Sequence, residues 1–204
     1  MKPAPAAAAL TSQGNGNRGA NRMCVSAGRV LAVYLLGVGA AAAHHLDGSN
    51  TRITFEVEHL GLDWFSAAFP ELSGDFVPAP DGRGGSLSVS VRLASLNSPS
   101  AYWNERLRSP QWLDTGRFPQ MTFRSTGIEL EGTQRARVQG ELTLHGVTRP
   151  LSLSLTDIDC PEAHAAPGDH CRFLGRGILR RSEFGLPHGF WQGGDTVRII
   201  VRGE

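Results

Sequence analysis

Apolar and polar residues alternate along most of the chain from residue 51 onward, which is the pattern of β-strands. In segment 51–60, TRITFEVEHL, the residues Ile53, Phe55 and Val57 occupy every second position between polar residues. Because successive side chains of a strand point to opposite faces, this spacing predicts a strand with one buried face. Similar alternation predicts strands in segments 86–93, 121–123, 128–130, 138–144, 151–155, 172–179 and 196–204.

Glycine and aromatic residues modify this pattern in two places. Gly127 separates two of the apolar pairs and predicts a turn between them. Segment 61–77 is dense in large apolar side chains but only weakly periodic, and Pro70 interrupts it. These large side chains are Trp64, Phe65, Phe69, Leu72 and Phe76. The segment is typical either of core filling or of the wall of an apolar cavity.

A short helix is predicted near residues 98–114, where the strand pattern stops. Ser98 can accept a hydrogen bond from an otherwise unpaired backbone N–H, and Pro99 suits the first helical position because it has no N–H. Trp103 and Leu107 are four residues apart and then share one face of the helix. A helix of this kind fits across the open end of a sheet or barrel.

Seven to eight short strands joined by polar turns predict an all-β fold, an antiparallel barrel or sandwich formed by residues 44–204 as one domain. A barrel of about eight strands is either filled by its own side chains or holds one ligand. Most inward positions are Val, Leu and Ile. This composition suits a solid interior as well as a hollow one, and the alternation leaves both open.

Residues 1–43 are predicted to be a secretory signal peptide. The apolar run 30–43, VLAVYLLGVGAAAA, follows Arg29 and ends in an Ala-x-Ala cleavage pattern. This run is too short to span a bilayer comfortably, which argues against the alternative of a retained membrane anchor. The segment MCVSAGRV has the form of a signal's first region, so we hypothesise that translation begins at Met23. The mature protein is predicted to be periplasmic or secreted.

Cys160 and Cys171 are the two cysteines that follow the predicted signal peptide. The ten residues between them, PEAHAAPGDH, are polar and rich in turn formers. In an exported chain, such a pair predicts a disulfide that closes this loop. The alternative is a zinc site made by both cysteines with His164 and His170, although the spacing lacks the usual CxxC pattern.

Charge and motifs narrow the function classes. Four of the 20 basic residues precede His44, whereas all 19 acidic residues follow it, so the mature chain carries about three net negative charges. Its arginines alternate with apolar residues rather than cluster, and no nucleic-acid partner is predicted. Nucleophile-elbow, zinc-protease, phosphate-loop and CxxC motifs are absent from the sequence. We therefore predict no catalytic residues and no metal site, and we do not expect an enzyme.

Several motifs, in the right order, resemble the YceI-like family of bacterial secreted proteins. The run LRSPQWLDTGRFPQMTF at 107–123 resembles the central signature of that family, and GELTLHGVTRP at 140–150 is the closest match. Segments 51–61 and 72–76 resemble its first strands, and RSEFG at 181–185 resembles a late motif. The resemblance covers nearly the whole predicted mature chain. It implies a single lipocalin-like β-barrel that holds a long isoprenoid lipid.

The resemblance implies a polyprenyl phosphate or an isoprenoid quinone as ligand, with no other cofactor required. The apolar side chains that would contact the tail are Phe55, Val57, Phe65, Phe69, Phe76, Val89, Val91, Trp103, Leu107, Trp112, Phe123, Leu142 and Leu144. Arg106, Arg108 and Arg117 would face the head group, because guanidinium groups suit phosphate or carbonyl oxygens. The alternative to ligand contact is that the apolar residues form an ordinary packed core and that the arginines are solvated or paired with acidic residues.

Two other functions stay open at this point. The protein could be an accessory to quinone-linked redox chemistry, or a barrel without ligand that has a structural or interaction role. The resemblance is also compatible with a role in stress. It is compatible as well with transient contact with a membrane and with a homodimer.

Overall fold

A computed structural model describes residues 43–59, 63–81, 83–160, 171–189 and 193–203. The predicted signal peptide lies outside these residues except for its last position, and so does the proposed start at Met23. His164 and His170 of the zinc alternative also lie outside them. Export of the protein therefore stays a prediction.

The described residues form ten strands and one α-helix. The strands are β1 (His44–Asp47), β2 (Thr51–His59), β3 (Asp63–Phe69), β4 (Leu72–Pro78), β5 (Gly85–Arg92), β6 (Gln120–Leu130), β7 (Ala136–Leu144), β8 (Val147–Asp159), β9 (Arg172–Arg180) and β10 (Thr196–Gly203). The helix α1 spans Ala101–Arg108, and short 3₁₀ helices occupy Leu93–Ser95 and Arg181–Phe184. The prediction of an all-β fold with one short helical segment is confirmed.

The first four strands form one long hairpin. Strands β1 and β2 follow each other along one arm, and β3 and β4 follow each other along the other arm. Ile53 of β2 pairs with Phe69 of β3, whereas Asp47 of β1 pairs with Ser73 of β4, so a register shift separates the two strand pairs. On the outer sides of this hairpin, β2 pairs with β10 and β4 pairs with β5. From β5 to β10, each strand pairs with the next along the chain. The antiparallel sheet thus curls into a lipocalin-like barrel with eight strand positions, which agrees with the predicted number.

The cap of α1 differs from the prediction by two residues. Ser100, not Ser98, is the N-cap, and its Oγ accepts a hydrogen bond from the Trp103 N–H. The Ser98 hydroxyl instead donates to Asn104 Oδ1 at 2.7 Å. Both serines could fill the cap by residue type, and this hydrogen bond to a side chain of the helix engages Ser98 elsewhere. The helix ends at Ser109, whose extended backbone is the conformation favoured before a proline.

The predicted turn at Gly127 is wrong, because β6 runs without interruption through this position. The register against β7 shifts between Ser125 and Gly127, which is a β-bulge. A glycine within a strand pattern marks either a turn or a bulge, and local sequence does not distinguish the two. The bulge lets one long strand replace the two short ones that were expected.

Glycines at inward positions shape the interior of the barrel. Gly140 on β7 lies against the ring of Phe123 on β6, where a Cβ atom would approach the ring Cζ to 2.4 Å. A Cβ on Gly177 of β9 would similarly lie 2.6 Å from a methyl group of Leu153. Large side chains therefore fold over neighbouring glycines, as small and large residues alternate in small barrels.

The disulfide prediction is confirmed: Cys160 and Cys171 are bonded to each other. The bridge joins the end of β8 to the start of β9, and an exposed ion pair between Asp159 and Arg172 lies beside it. Oxidised cysteines are not available as thiolate ligands, which argues against the zinc alternative. A bridge that closes a loop of this length contributes about 3 kcal/mol to stability in the loop-entropy model.

Replacing Gly140 with alanine should destabilise the barrel by about 1–3 kcal/mol, because the added methyl group would collide with the Phe123 ring and with the backbone oxygen of Arg124. Urea unfolding followed by circular dichroism would measure the loss. The matched control is Gly127→Ala on the adjacent strand, where a Cβ would meet no atom within 4 Å. Equal stability of the two variants would contradict this account of the interior.

Candidate functional site

Two cavities lie in the apolar interior of the barrel, beside its packed core. The larger has a volume of about 420 Å³ and lies beneath α1, which contributes Trp103 and Leu107 to its wall; we call it the helix-side cavity. The smaller has a volume of about 290 Å³ and is bordered by Cys160 and Cys171; we call it the disulfide-side cavity. The interior is therefore hollow, a question that the alternation of residues had left open.

All thirteen residues predicted to contact the tail line one of these cavities. Those of the helix-side cavity are Val57, Phe65, Phe69, Trp103, Leu107, Trp112 and Leu144. Those of the disulfide-side cavity are Phe76, Val89, Val91, Phe123 and Leu142. Phe55 lines both. The structure thus brings the set together around the hollow interior, while contact with a ligand stays a prediction.

Other lining residues were missed, mainly on strands in the second half of the chain. In the helix-side cavity, these include Leu96, Met121, Leu179, Leu186 and Val197. In the disulfide-side cavity, they include Ile53, Leu151, Leu153, Ile199 and Val201. The alternation in β8 and β10 already marked Leu151, Leu153, Val197 and Ile199 as inward-facing. The same alternation, extended to every strand, predicts that these lining residues face the interior of the barrel.

The helix α1 covers the helix-side cavity with residues that are at most partly buried, among them Leu107, which packs against the core. Trp103 on its inner side continues a row of aromatic rings, 6.1 Å from Phe65 and 6.4 Å from Trp112 between ring centroids. Arg108 donates a hydrogen bond to the backbone carbonyl of Leu96, which ties the helix to the cavity wall. Hydrogen bonds from the Ser98 hydroxyl to Asn104 Oδ1 and from the Leu113 N–H to the Leu107 carbonyl also hold the helix, while Trp103 and Leu107 line the cavity.

The three arginines predicted to face the head group lie on α1 or just after it. Arg106 is exposed in the last turn of α1, and the guanidinium of Arg117 lies 5.1 Å from the ring centroid of Phe118. Arg108 makes the hydrogen bond to Leu96 described above. All three are thus near the covered end of the barrel, outside the described walls of both cavities. Their contact with a head group stays a prediction.

A fourth arginine, Arg181, lies in the wall of the helix-side cavity and was not predicted. Only 6% of its surface is exposed. Its guanidinium donates to the backbone carbonyls of Gly193 and Gly194 and lies 5.8 Å from the ring centroid of Trp112. Burial lowers the pKa of Arg181, and the nearby Asp195 carboxylate partly offsets this effect. The RSEFG motif that begins at this residue was the signal that could have drawn attention to it.

Asp195 anchors the 3₁₀ helix that begins at Arg181. Its carboxylate accepts hydrogen bonds from the backbone N–H and the hydroxyl of Ser182, at 2.7 and 2.8 Å. Desolvation raises the pKa of this carboxyl, but the hydrogen bonds from Ser182 outweigh it and leave the pKa below its ordinary value. The charged form of Asp195 therefore holds the segment that carries Arg181 into the cavity wall.

Protonation of the Asp195 carboxylate should therefore lower the stability of the folded protein in acid. Since its pKa is lower in the folded state, its contribution is complete above the ordinary value of 3.8 and disappears as the pH falls through the lowered pKa. Chemical unfolding measured across this range should show a shallower pH dependence for Asp195→Asn than for the unchanged protein. Ser182→Ala, which removes one of the two donors, should give part of the same effect. An identical pH dependence in both variants and the unchanged protein would contradict the assignment.

Within the described ranges, no three His, Cys, Asp or Glu side chains are grouped so as to hold a metal ion. No helix of this part of the chain is long and apolar enough to cross a membrane. The walls of both cavities are mainly apolar, and Ser66, Ser100 and Arg181 are polar residues in the wall of the helix-side cavity.

A family model described as the YceI-like domain matches residues 44–204. The chain belongs to the YceI-like family. A UPF0312 protein of Shewanella baltica strain OS185 is 35% identical over 166 residues, which cover 76% of this chain and 83% of the relative. A UPF0312 protein of Vibrio parahaemolyticus is 31% identical over 156 residues, covering 74% of this chain and 82% of the relative. The resemblance inferred from the motifs is confirmed.

Solved structures share the fold of this YceI-like chain. BcnA of Burkholderia cenocepacia superposes with a TM-score of 0.65 at 23% identity, covering 77% of this chain and 97% of BcnA. A polyisoprenoid-binding domain from Saccharophagus degradans, implicated in plant cell wall breakdown, superposes with a TM-score of 0.55 at 15% identity, covering 80% of this chain and 98% of that domain. At these identities, the likeness concerns the fold.

Proposed function

We propose that this YceI-like protein is a periplasmic or secreted carrier that holds a long isoprenoid lipid, a polyprenyl phosphate or an isoprenoid quinone, for transport or storage. The observation that carries the proposal is the hollow barrel, whose two cavities are lined mainly by apolar side chains. The polyisoprenoid-binding domain of Saccharophagus degradans, which has the same fold, supports this class of ligand.

The energetics of the cavities favour a long apolar ligand. Transfer of apolar surface out of water gains about 25 cal/mol per Å². A prenyl tail is nearly all apolar surface, so its burial requires a shaped, water-free space and little else from the protein. Pockets that bind small molecules commonly have volumes of about 300–1,000 Å³, and the helix-side cavity lies within this range.

Polar groups in the helix-side cavity give the ligand a direction. Ser66, Ser100 and Arg181 contribute to its lining, and the exposed Arg106 lies on the helix above. Because a phosphate or carbonyl oxygen needs hydrogen-bond donors when it leaves water, we propose that the head group lies at this end. The tail then extends toward the disulfide-side cavity.

Two alternative functions differ from a lipid carrier in the ligand that the barrel contains and in whether that ligand is chemically changed. An accessory to quinone-linked redox chemistry would contain a quinone, and a structural barrel would be empty. A carrier needs no reaction, so the lipid should leave the protein chemically unchanged.

Extraction of the protein purified from its native host should yield about one isoprenoid lipid per chain. The measurement is organic extraction followed by mass spectrometry of the eluted lipid. A defined prenyl phosphate or quinone supports the carrier. Protein that is empty in repeated preparations, together with failure to take up added prenols, would overturn the proposal.

Leu144→Trp should weaken lipid uptake while leaving a folded barrel, because the added rings would occupy the helix-side cavity. Each excluded methylene forfeits about 0.8 kcal/mol, so the loss of a few of them lowers the affinity on the order of a hundredfold. Titration with a prenol would measure the loss, with circular dichroism as the check on folding. The control is Glu141→Trp, at an exposed position of the same strand. Equal affinities in the two variants would place the binding site elsewhere.

A further inference from the structure

The helix-side and disulfide-side cavities meet at two side chains. Phe55 on β2 and Met121 on β6 are the residues that line both of them among those described. Around the barrel, two strand positions separate β2 from β6 on one side and four separate them on the other, so the side chains reach into the interior from different sides. They therefore lie at the boundary between the two cavities, and we call this pair of side chains the partition.

The two sides of this partition differ in rigidity. The ring of Phe55 packs edge-to-face on Phe69, with 5.3 Å between ring centroids, and Phe69 is itself 4% exposed. This contact favours one orientation of the Phe55 ring. Met121 is as buried as Phe69, at 4% exposed, but its unbranched side chain rotates about three bonds, which lets methionine adapt to a changing neighbour. Of the two side chains, Met121 is therefore the one that adapts more readily to a ligand between the cavities.

The cavities also differ in size and chemistry. The helix-side cavity, at about 420 Å³, contains Ser66, Ser100 and the charged Arg181. The disulfide-side cavity is smaller, about 290 Å³, and its middle is lined by apolar residues such as Val138 and Leu142. A head group with a short tail fits the first cavity alone. A longer tail that starts in the first cavity reaches the second by passing the partition.

We infer that Phe55 and Met121 determine the length of the tail that the protein accepts. A tail of a few isoprene units stays in the helix-side cavity, whereas a longer tail displaces Met121 and enters the disulfide-side cavity. The inference rests on the proposed function, because it concerns how the same site selects among isoprenoid lipids.

Two matched variants test the inference, Leu142→Trp and Leu144→Trp. Both leucines lie on the inward face of β7, two positions apart, and each is 4% exposed. Leu142 lines the disulfide-side cavity and Leu144 the helix-side cavity. The probes are geraniol, farnesol, geranylgeraniol and solanesol, prenols of two, three, four and nine isoprene units that share one head group. Affinity is measured by calorimetric titration.

Leu142→Trp should leave farnesol binding unchanged and weaken solanesol binding by about tenfold or more, because several methylenes lose their buried site. Leu144→Trp should weaken the binding of both prenols. Unchanged solanesol affinity in Leu142→Trp, or an equal loss for all four prenols, overturns the inference while leaving the carrier proposal intact. Failure of the unchanged protein to bind any prenol overturns the carrier proposal itself.

Removal of the partition gives a second test that adds no bulk to the core. Met121→Ala should raise the affinity for solanesol relative to farnesol by about tenfold, because the tail no longer has to displace a side chain. Circular dichroism establishes that each variant is folded, and Leu142→Phe replaces Leu142→Trp if the latter does not fold. A ratio of affinities in Met121→Ala equal to that of the unchanged protein counts against the role of the partition.

Discussion

The structure depends on a mismatch between the space inside the barrel and the side chains available to fill it. Eight strand positions fix the circumference, and the inward face of every strand must be apolar. Where Gly140 and Gly177 take inward positions, neighbouring side chains fold over them toward the wall rather than fill the centre. The remaining volume is too apolar to hold ordered water well, and a ligand of the same character is its natural occupant.

The two ends of the barrel interior differ in the polarity of their walls. At one end, α1 places a tryptophan over the cavity, and Asp195 holds the segment that carries Arg181 into the wall. At the other end, a disulfide joins β8 to β9 beside an almost wholly apolar space. The wall of the helix-side cavity is therefore the more polar of the two.

Much of this could be predicted from the sequence because strand alternation is a local property. The alternation of side chains along a strand predicts that Val57 and Leu144 face inward, and both line the helix-side cavity. The errors arose where local sequence allows two outcomes. Gly127 could form a turn or a bulge, and Ser98 and Ser100 could each cap the helix. In both cases a neighbouring strand or side chain decided the outcome.

Short-range patterns in the sequence were thus sufficient for the family, the cysteine pair and the apolar faces of most strands, but not for the ends of every strand. Tertiary structure alone decided that the interior is hollow, that it is divided in two, and that Arg181 belongs to its wall. The physical reason is that these features depend on distances between side chains remote in sequence. Phe55 and Met121 become neighbours of the same two cavities only when β2 and β6 are bent around one barrel.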